Sequence, residues 1–455
     1  MNIVQQVAFL IVLGVAAFFV RKRVLRIRGN ISLGKHEQVS GDTGARWKNV
    51  LLIAFGQKKM FKRPLPAIFH FFIYIGFLVI NLEVLEFIID GVAGTHRIFA
   101  PVFGGFYSVL MNIFEFLAVA VLFSCVIFLF RRNVTRVPRL QSPELNGWPR
   151  KDANLILITE IVLMCAILSM NAADQVLQTR EGYGEHYTST GSIFFSSMII
   201  PLFSNLSGTA LVAIERFAWW FHIMGILGFA VYVTYSKHLH IFMAFVNTYY
   251  AKLEVKGKLD NMPVVTREVK SMLGLPVETP AAEASAQAGE PGRFGAKDVN
   301  DLSRINLMAA YSCTECGRCT AECPANITGK KLSPRKIMMD VRDRMEEVGA
   351  SIEASANFSG GPGTSAGTTT ATQKTLLNDY ITKEEINACT SCNACVEACP
   401  VLINPLDIII ELRRYVAMEE SGSPAQWNAM FQNVETNFAP WKFPSADRFN
   451  WSKNI

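Results

Sequence analysis

Apolar residues crowd the first 245 positions of the chain and thin out sharply afterwards. Five runs, about 3–20, 65–90, 104–130, 153–175 and 209–236, each come near the ~20 residues a helix needs to cross a bilayer. The pattern predicts five membrane-spanning helices. A further apolar stretch, 193–205, is short for a span and reads as a re-entrant or interfacial segment. Residues 246–275 read as a charged, partly helical connector. Residues 276–295, PVETPAAEASAQAGEPGRFG, read as a flexible tether. Residues 355–373, SANFSGGPGTSAGTTTATQ, form a second low-complexity stretch, expected to loop out at the surface. Ser333-Pro334 predicts a helix through about Val348, with Arg335, Lys336, Arg342 and Arg344 on its exposed face. Pro405 opens another through about Glu420. Strand signals are weak, so this half is also expected to be helical.

Charge adds a direction. Arg21, Lys22, Arg23, Arg26, Arg28, Lys35, Arg46, Lys48, Lys58, Lys59, Lys62 and Arg63 fall between the first two runs. Arg131, Arg132, Arg136, Arg139, Arg150 and Lys151 fall between the third and fourth, while the other two loops carry only Arg97 and Arg180. Under the positive-inside rule this predicts an outside N-terminus and a cytoplasmic location for everything after Lys237. The charges follow the first run rather than precede it, so it reads as an anchor and not as a cleaved signal. The net charge of +6 is then mostly a topology signal. No motif supports a nucleic-acid partner. The expected setting is the inner (plasma) membrane, multi-pass, in contact with lipid.

Eight of the ten cysteines fall into two copies of one spacing. Cys313, Cys316, Cys319 and Cys323 precede Pro324; Cys389, Cys392, Cys395 and Cys399 precede Pro400. C-x2-C-x2-C-x3-C-P written twice is the run that holds paired [4Fe–4S] clusters in bacterial-type ferredoxins, where the fourth cysteine ligates the other cluster. The expected sets are therefore Cys313, Cys316, Cys319 with Cys399, and Cys389, Cys392, Cys395 with Cys323. Zinc needs four ligands and would leave four thiols idle. Disulfides need an oxidising compartment and read poorly from triplets this close. Cys125 and Cys165, inside apolar runs, are expected to be buried small hydrophobes.

Histidine placement bears on what the membrane half does. His36, His96 and His186 fall in loops and read as solvated. His70 lies inside the second run, His222 in the middle of the fifth, and His238 and His240 at its cytoplasmic end. A histidine inside a span is costly and functional by default, and beside clusters its natural use is axial haem ligation. Counting along the helices puts His70 ~10 Å deep and His240 near the surface, and separates His222 from His240 by ~27 Å. His70 with His240 is the better-matched pair; interfacial anchoring is the competing role for His238. Buried carboxylates add a further question: Glu83, Glu86, Glu115 and Glu160 could conduct protons or simply pair with polar neighbours.

The segment Trp219 to Phe245, WWFHIMGILGFAVYVTYSKHLHIFMAF, resembles the fifth span of nitrate reductase gamma subunits. Those are five-span b-type cytochromes with two haems and two span-five histidines at the same separation. The resemblance implies one haem b, with a second only if another side chain serves, because Ile80 stands where that family has a second span-two histidine. FGAKDVNDLSRINLMAAYSCTECGRCTAECPANITGKKLSPRKIMMDVRDRMEEVG and ITKEEINACTSCNACVEACPVLINPLDIIIELRRYVAMEES resemble the cluster domain of membrane-bound heterodisulfide-reductase-related proteins. The fold class implied is all-α: a five-helix transmembrane cytochrome b-like bundle followed by a helical two-cluster ferredoxin-like domain. The expected division is 1–245 haem b domain, 246–297 connector and linker, 298–421 dicluster domain with the insert 355–373, and 422–455 a partner-docking tail. In that family FAPWKFPSADRFNW would lead into a cysteine-rich CCG domain, which implies a separate cytoplasmic CCG-domain iron–sulfur partner. The resemblance further implies an oxidoreductase subunit, complete as an enzyme only with partners. It would pass electrons between a cytoplasmic donor, such as electron-transfer flavoprotein, and membrane menaquinone or another quinone. Alternatives are a haem-free anchor for a ferredoxin, a redox sensor, and a component of a thiol/disulfide enzyme like heterodisulfide reductase.

Overall fold

The computed structural model describes residues 3–37, 39, 41–184, 186–187, 189–276, 293–358, 373–442 and 444–454. The tether and the low-complexity insert fall mostly outside these. Five helices are long and apolar enough to cross a membrane: α1 (Ile3–Ser32), α2 (Pro64–Ala93), α3 (Gly105–Asn133), α4 (Trp148–Gln178) and α5 (Gly208–Val233). Their ends follow local chemistry. Pro64 opens α2 at a position where its missing N–H costs nothing, and Gly94 closes it in the left-handed region at φ 76°. Ser207 caps α5 by accepting from the Ala210 amide. α2, α3, α4 and α5 share one apolar core that includes Ile80, Leu117, Val121, Leu163 and Ile223. α1 lies against its edge, held where the fully buried Phe9 packs against Trp219 and Trp220.

α6 (His240–Tyr250) leads out of the bundle, and the second half is built on α7 (Arg304–Ser312), α8 (Pro334–Phe358) and α9 (Pro405–Met418). Among the described residues no strand forms, only the isolated bridges Lys35–Ser303 and Leu377–Ile381. The cluster half has its own apolar core, which Ile27 of α1 and Leu239 of the bundle exit join. A short helix, Ala425–Asn437, follows with no buried side chain.

Several expectations change. The fifth helix ends at Val233, not 236. The chain then turns through an extended Ser236, whose hydroxyl accepts from the His238 amide, and restarts at His240. The straight-helix separation of His222 from His240 therefore does not apply. Arg335 and Arg344 are not on an exposed face of α8: they are 0% and 2% exposed, drawn inward by Glu144 and Asp298, both at 2.7 Å. His96 is not solvated either. Its ring packs on Tyr187 at 5.1 Å beside Asp174, whereas His36 and His186 are exposed. Cys125 is buried, but Cys165 sits on the outward face of α4. The 193–205 stretch forms a short helix, Phe194–Ile199, packed against α3 and α4, with Ser196 fully buried.

Candidate functional site

α7 ends at Ser312 and delivers Cys313; Cys316 and Cys319 follow through a loop into the short helix Arg318–Ala321. Gly317 turns that loop at φ 71°, and a Cβ there would lie 2.9 Å from the Arg139 carbonyl, so the close approach requires glycine. Arg139 itself donates to the Cys316 carbonyl at 2.6 Å. The second motif occupies a matching loop and short helix, Ala394–Ala398, packed against the first. Arg413 of α9 secures it by donating to the carbonyls of Ile386, Asn387 and Cys389. The fourth cysteines cross over. Cys399 is an electrostatic neighbour of Cys316 and Cys319, and Cys323 of Cys389 and Cys395. Amides of Ser391 and Ile403 donate to Cys389 and Cys399 sulfurs at 3.4 and 3.3 Å.

Burial pushes the Cys313 and Cys395 thiols up to about 12 and the Cys399 thiol up to about 11. Thiolates in so dry a setting need compensating metal charge. Eight sulfurs in two groups of four suit two iron–sulfur cubes.

Cys316 of the first cysteine group lines a cavity of about 440 Å³ that continues into the helix bundle. Thr314, Cys316, Arg318, Pro400 and Val401 close its upper end, and His70, His238, His240 and His222 all line it. The His70 and His240 ring centroids are 6.4 Å apart, and His238 lies 5.4 Å from His240. Metal–imidazole bonds of about 2 Å place the two rings of a bis-imidazole centre roughly 6 Å apart, so one iron fits between His70 and His240. Both rings donate from Nδ1, His70 to Gln57 Oε1 at 3.1 Å and His240 to the Lys237 carbonyl at 3.2 Å. These bonds orient the rings and leave each Nε2 lone pair free for a metal. His222 donates from Nδ1 to the Leu163 carbonyl at 3.0 Å, on a lower part of the wall. Arg131, Arg132, Arg139 and Arg318 also line the cavity and would offer positive charge to an acidic ligand.

The carboxylates divide. Glu86 accepts from Tyr107 at 2.7 Å and the Phe99 amide at 2.9 Å. Glu115 accepts from Asn171 and from the amide and hydroxyl of Ser196. Both are thus absorbed by a buried network that also contains the Arg97–Asp174 ion pair at 2.7 Å. Glu83 Oε1 is buried with no hydrogen-bond partner among the described residues, and Glu160 lines the cavity.

Sequence reasoning missed the residues that fasten the two halves together. Glu315, inside the first cysteine motif, sits between Lys237 and Arg342; Glu315 and Lys237 are buried and Arg342 partly so. Burial favours its neutral form, but Arg342 and Lys237 outweigh that and hold the carboxyl below the usual range. Arg23 of α1 makes a two-pronged pair with Glu346 of α8 at 2.9 and 2.5 Å. A cue was present in the first motif, where an acidic residue stands between two cysteines. Glu315→Ala leaves the Lys237 ammonium buried, with Asp152 4.0 Å away as its remaining carboxylate. It should cost about 3 kcal/mol of stability, seen as earlier thermal loss of the iron–sulfur absorbance. Glu254→Ala, in an exposed pair with Lys258, should leave that transition unchanged.

Residues 312–403 match the family model described as a 4Fe-4S dicluster domain. The chain is 29% identical to the "Probable iron-sulfur-binding oxidoreductase FadF" of Bacillus subtilis, across 99% of this chain and 61% of that protein. It is 26% identical to the "EtfAB:quinone oxidoreductase" of Syntrophomonas wolfei, across 88% of this chain and 53% of that protein. It is also 26% identical to a component of the dihydromethanophenazine:CoB–CoM heterodisulfide reductase of Methanosarcina mazei, across 34% of this chain and 35% of that protein. The chain thus spans little more than half the length of the first two relatives. No solved structure matches it. Clusters of this type carry single electrons. The chain thus joins five membrane-length helices to a 4Fe-4S dicluster domain, and it is similar to membrane-anchored iron–sulfur oxidoreductases and to heterodisulfide reductase components.

Proposed function

We propose that the chain passes electrons between a cytoplasmic donor and a membrane quinone through two [4Fe–4S] clusters and a haem b. The observation that carries this reading is the shared cavity. It touches Cys316 at one end, contains the His70–His240 pair, and continues among apolar helices to His222. The ligand sets are Cys313, Cys316, Cys319, Cys399 and Cys389, Cys392, Cys395, Cys323 for the clusters, with His70 and His240 for the haem. His238 is the alternate to His240. A porphyrin iron bound there supplies a one-electron relay between the clusters and the bilayer. The chain's own groups would hold that relay in register: the Gln57 side chain and the Lys237 backbone carbonyl orient the imidazoles, Arg139 holds Cys316, and the Glu315 and Glu346 ion pairs fasten the cluster half to the bundle.

Exposure of the Cys392 thiol favours electron entry at the second cluster. The relative named as an EtfAB:quinone oxidoreductase favours an electron-transfer flavoprotein as donor and quinone as acceptor. The cluster half lies on the side of the two basic loops, which favours a cytoplasmic location. The test is anaerobic reduction of the purified protein followed by a menaquinone analogue. The expected result is prompt reoxidation of both the iron–sulfur and the b-type absorbance. Slow reoxidation, no faster than without quinone, contradicts the reading.

A further inference from the structure

We infer that the lower end of the cavity, around His222 and Glu160, is the quinone headgroup site; this rests on the quinone function proposed above. The starting point is a histidine that no pairing absorbs. His222 is 2% exposed, lies away from the His70–His240 pair, and keeps its Nε2 free because Nδ1 donates to the Leu163 carbonyl. No second histidine faces it among the described residues; Ile80 stands on the α2 wall. Its ring lies edge-on to Phe87 at 5.8 Å, one turn from Val84, which also lines the cavity.

Glu160 supplies a second group. It lies three residues before Leu163 on α4, hence about 4.5 Å along the axis from the residue that holds His222. It lines the same cavity and makes no hydrogen bond or ion pair among the described residues. Two proton-carrying side chains thus face an otherwise apolar space, the usual composition of a small-ligand site. A route in from lipid exists. Phe77, Leu78 and Asn81 of α2 line the cavity and are also exposed on the outer surface of the bundle, where acyl chains would lie.

A quinone takes two electrons from the reduced cytoplasmic donor and two protons, and becomes a quinol. One proton leaves protonated His222 at Nε2, the other leaves the Glu160 carboxyl, and both groups are recharged from water. In the opposite direction, neutral His222 and ionised Glu160 accept the two hydroxyl protons of the quinol.

The experiment compares wild type, His222→Ala and Glu160→Gln as intact detergent-solubilised protein. Three quantities are read: haem per chain, binding of a fluorescent hydroxyquinoline N-oxide, and reduction of a short-chain naphthoquinone. His222→Ala should keep the wild-type haem content while weakening analogue binding and raising KM by about tenfold. Glu160→Gln should keep haem and lower kcat by about a hundredfold with a flattened pH profile. Loss of haem in His222→Ala, or two haems per wild-type chain, makes His222 an iron ligand and overturns the site. Variants that match wild type in binding, KM, kcat and pH profile also overturn it. Wild-type protein that carries haem but never reduces the quinone overturns the proposed function itself, whatever the variants do.

Discussion

Cys399→Ala should remove one cluster and leave the other, and the cluster lost should be the one held by the first motif. Iron falls from about eight atoms in cubes to about four. The reason is the crossover: Cys399 closes the second motif in sequence but neighbours Cys316 and Cys319 in space. Cys323→Ala should do the converse and spare the first cluster. Electron paramagnetic resonance of the reduced variants separates the two outcomes. If Cys399→Ala loses the same signal as Cys389→Ala, each motif closes its own cluster and the crossover is wrong. The effect reaches beyond iron count. Cys399 is buried and packs within the core that Ile337, Ile408 and Leu412 share, so its loss also loosens the contact between α8 and α9. The remaining cluster should then be lost at a lower temperature than in wild type.

His70→Ala and His240→Ala should each abolish the b-type absorbance while leaving cluster iron at the wild-type level. The two rings lie 6.4 Å apart, so on the haem reading removing either imidazole takes one of the two proposed iron ligands. Gln57→Leu should act through His70 rather than on the iron: it deletes the 3.1 Å acceptor that orients the ring, and the loss of such a supporting hydrogen bond weakens a metal site about tenfold or more. The absorbance should therefore persist with a shifted midpoint potential. His238→Ala decides between the two bundle-exit histidines. Retained b-type absorbance assigns His240; its loss in His238→Ala but not in His240→Ala assigns His238.

The helical runs and the cysteine spacing are legible in the sequence because both are local signals. Apolar length marks a span, and fixed spacing marks a cluster loop, whatever surrounds them. The departures share a cause. Arg335 and Arg344 look solvent-facing in sequence because their carboxylate partners, Glu144 and Asp298, come from distant segments. The end of α5 is hard to place because Thr234 to Ser236 carry no proline or glycine. The break comes instead from Ser236 capping the turn that follows. His96 reads as a loop residue, yet its loop folds back against Tyr187 and Asp174.

The basic loops illustrate the same point from the other side. Their charges read as a topology signal alone, yet several dock the cluster half. Arg23 pairs with Glu346 and Arg63 with Glu322, while Arg139 holds the Cys316 carbonyl. One set of cations can therefore serve orientation and assembly together, and composition cannot separate the two uses.

The most direct test of the electron-transfer reading is the composition and spectrum of anaerobically purified protein: iron, acid-labile sulfide, haem, and the reduced-minus-oxidised difference. The expected result is about eight cluster irons per chain with matching sulfide, and a b-type band from one haem. Colourless protein with fewer than about four non-haem irons per chain would contradict it.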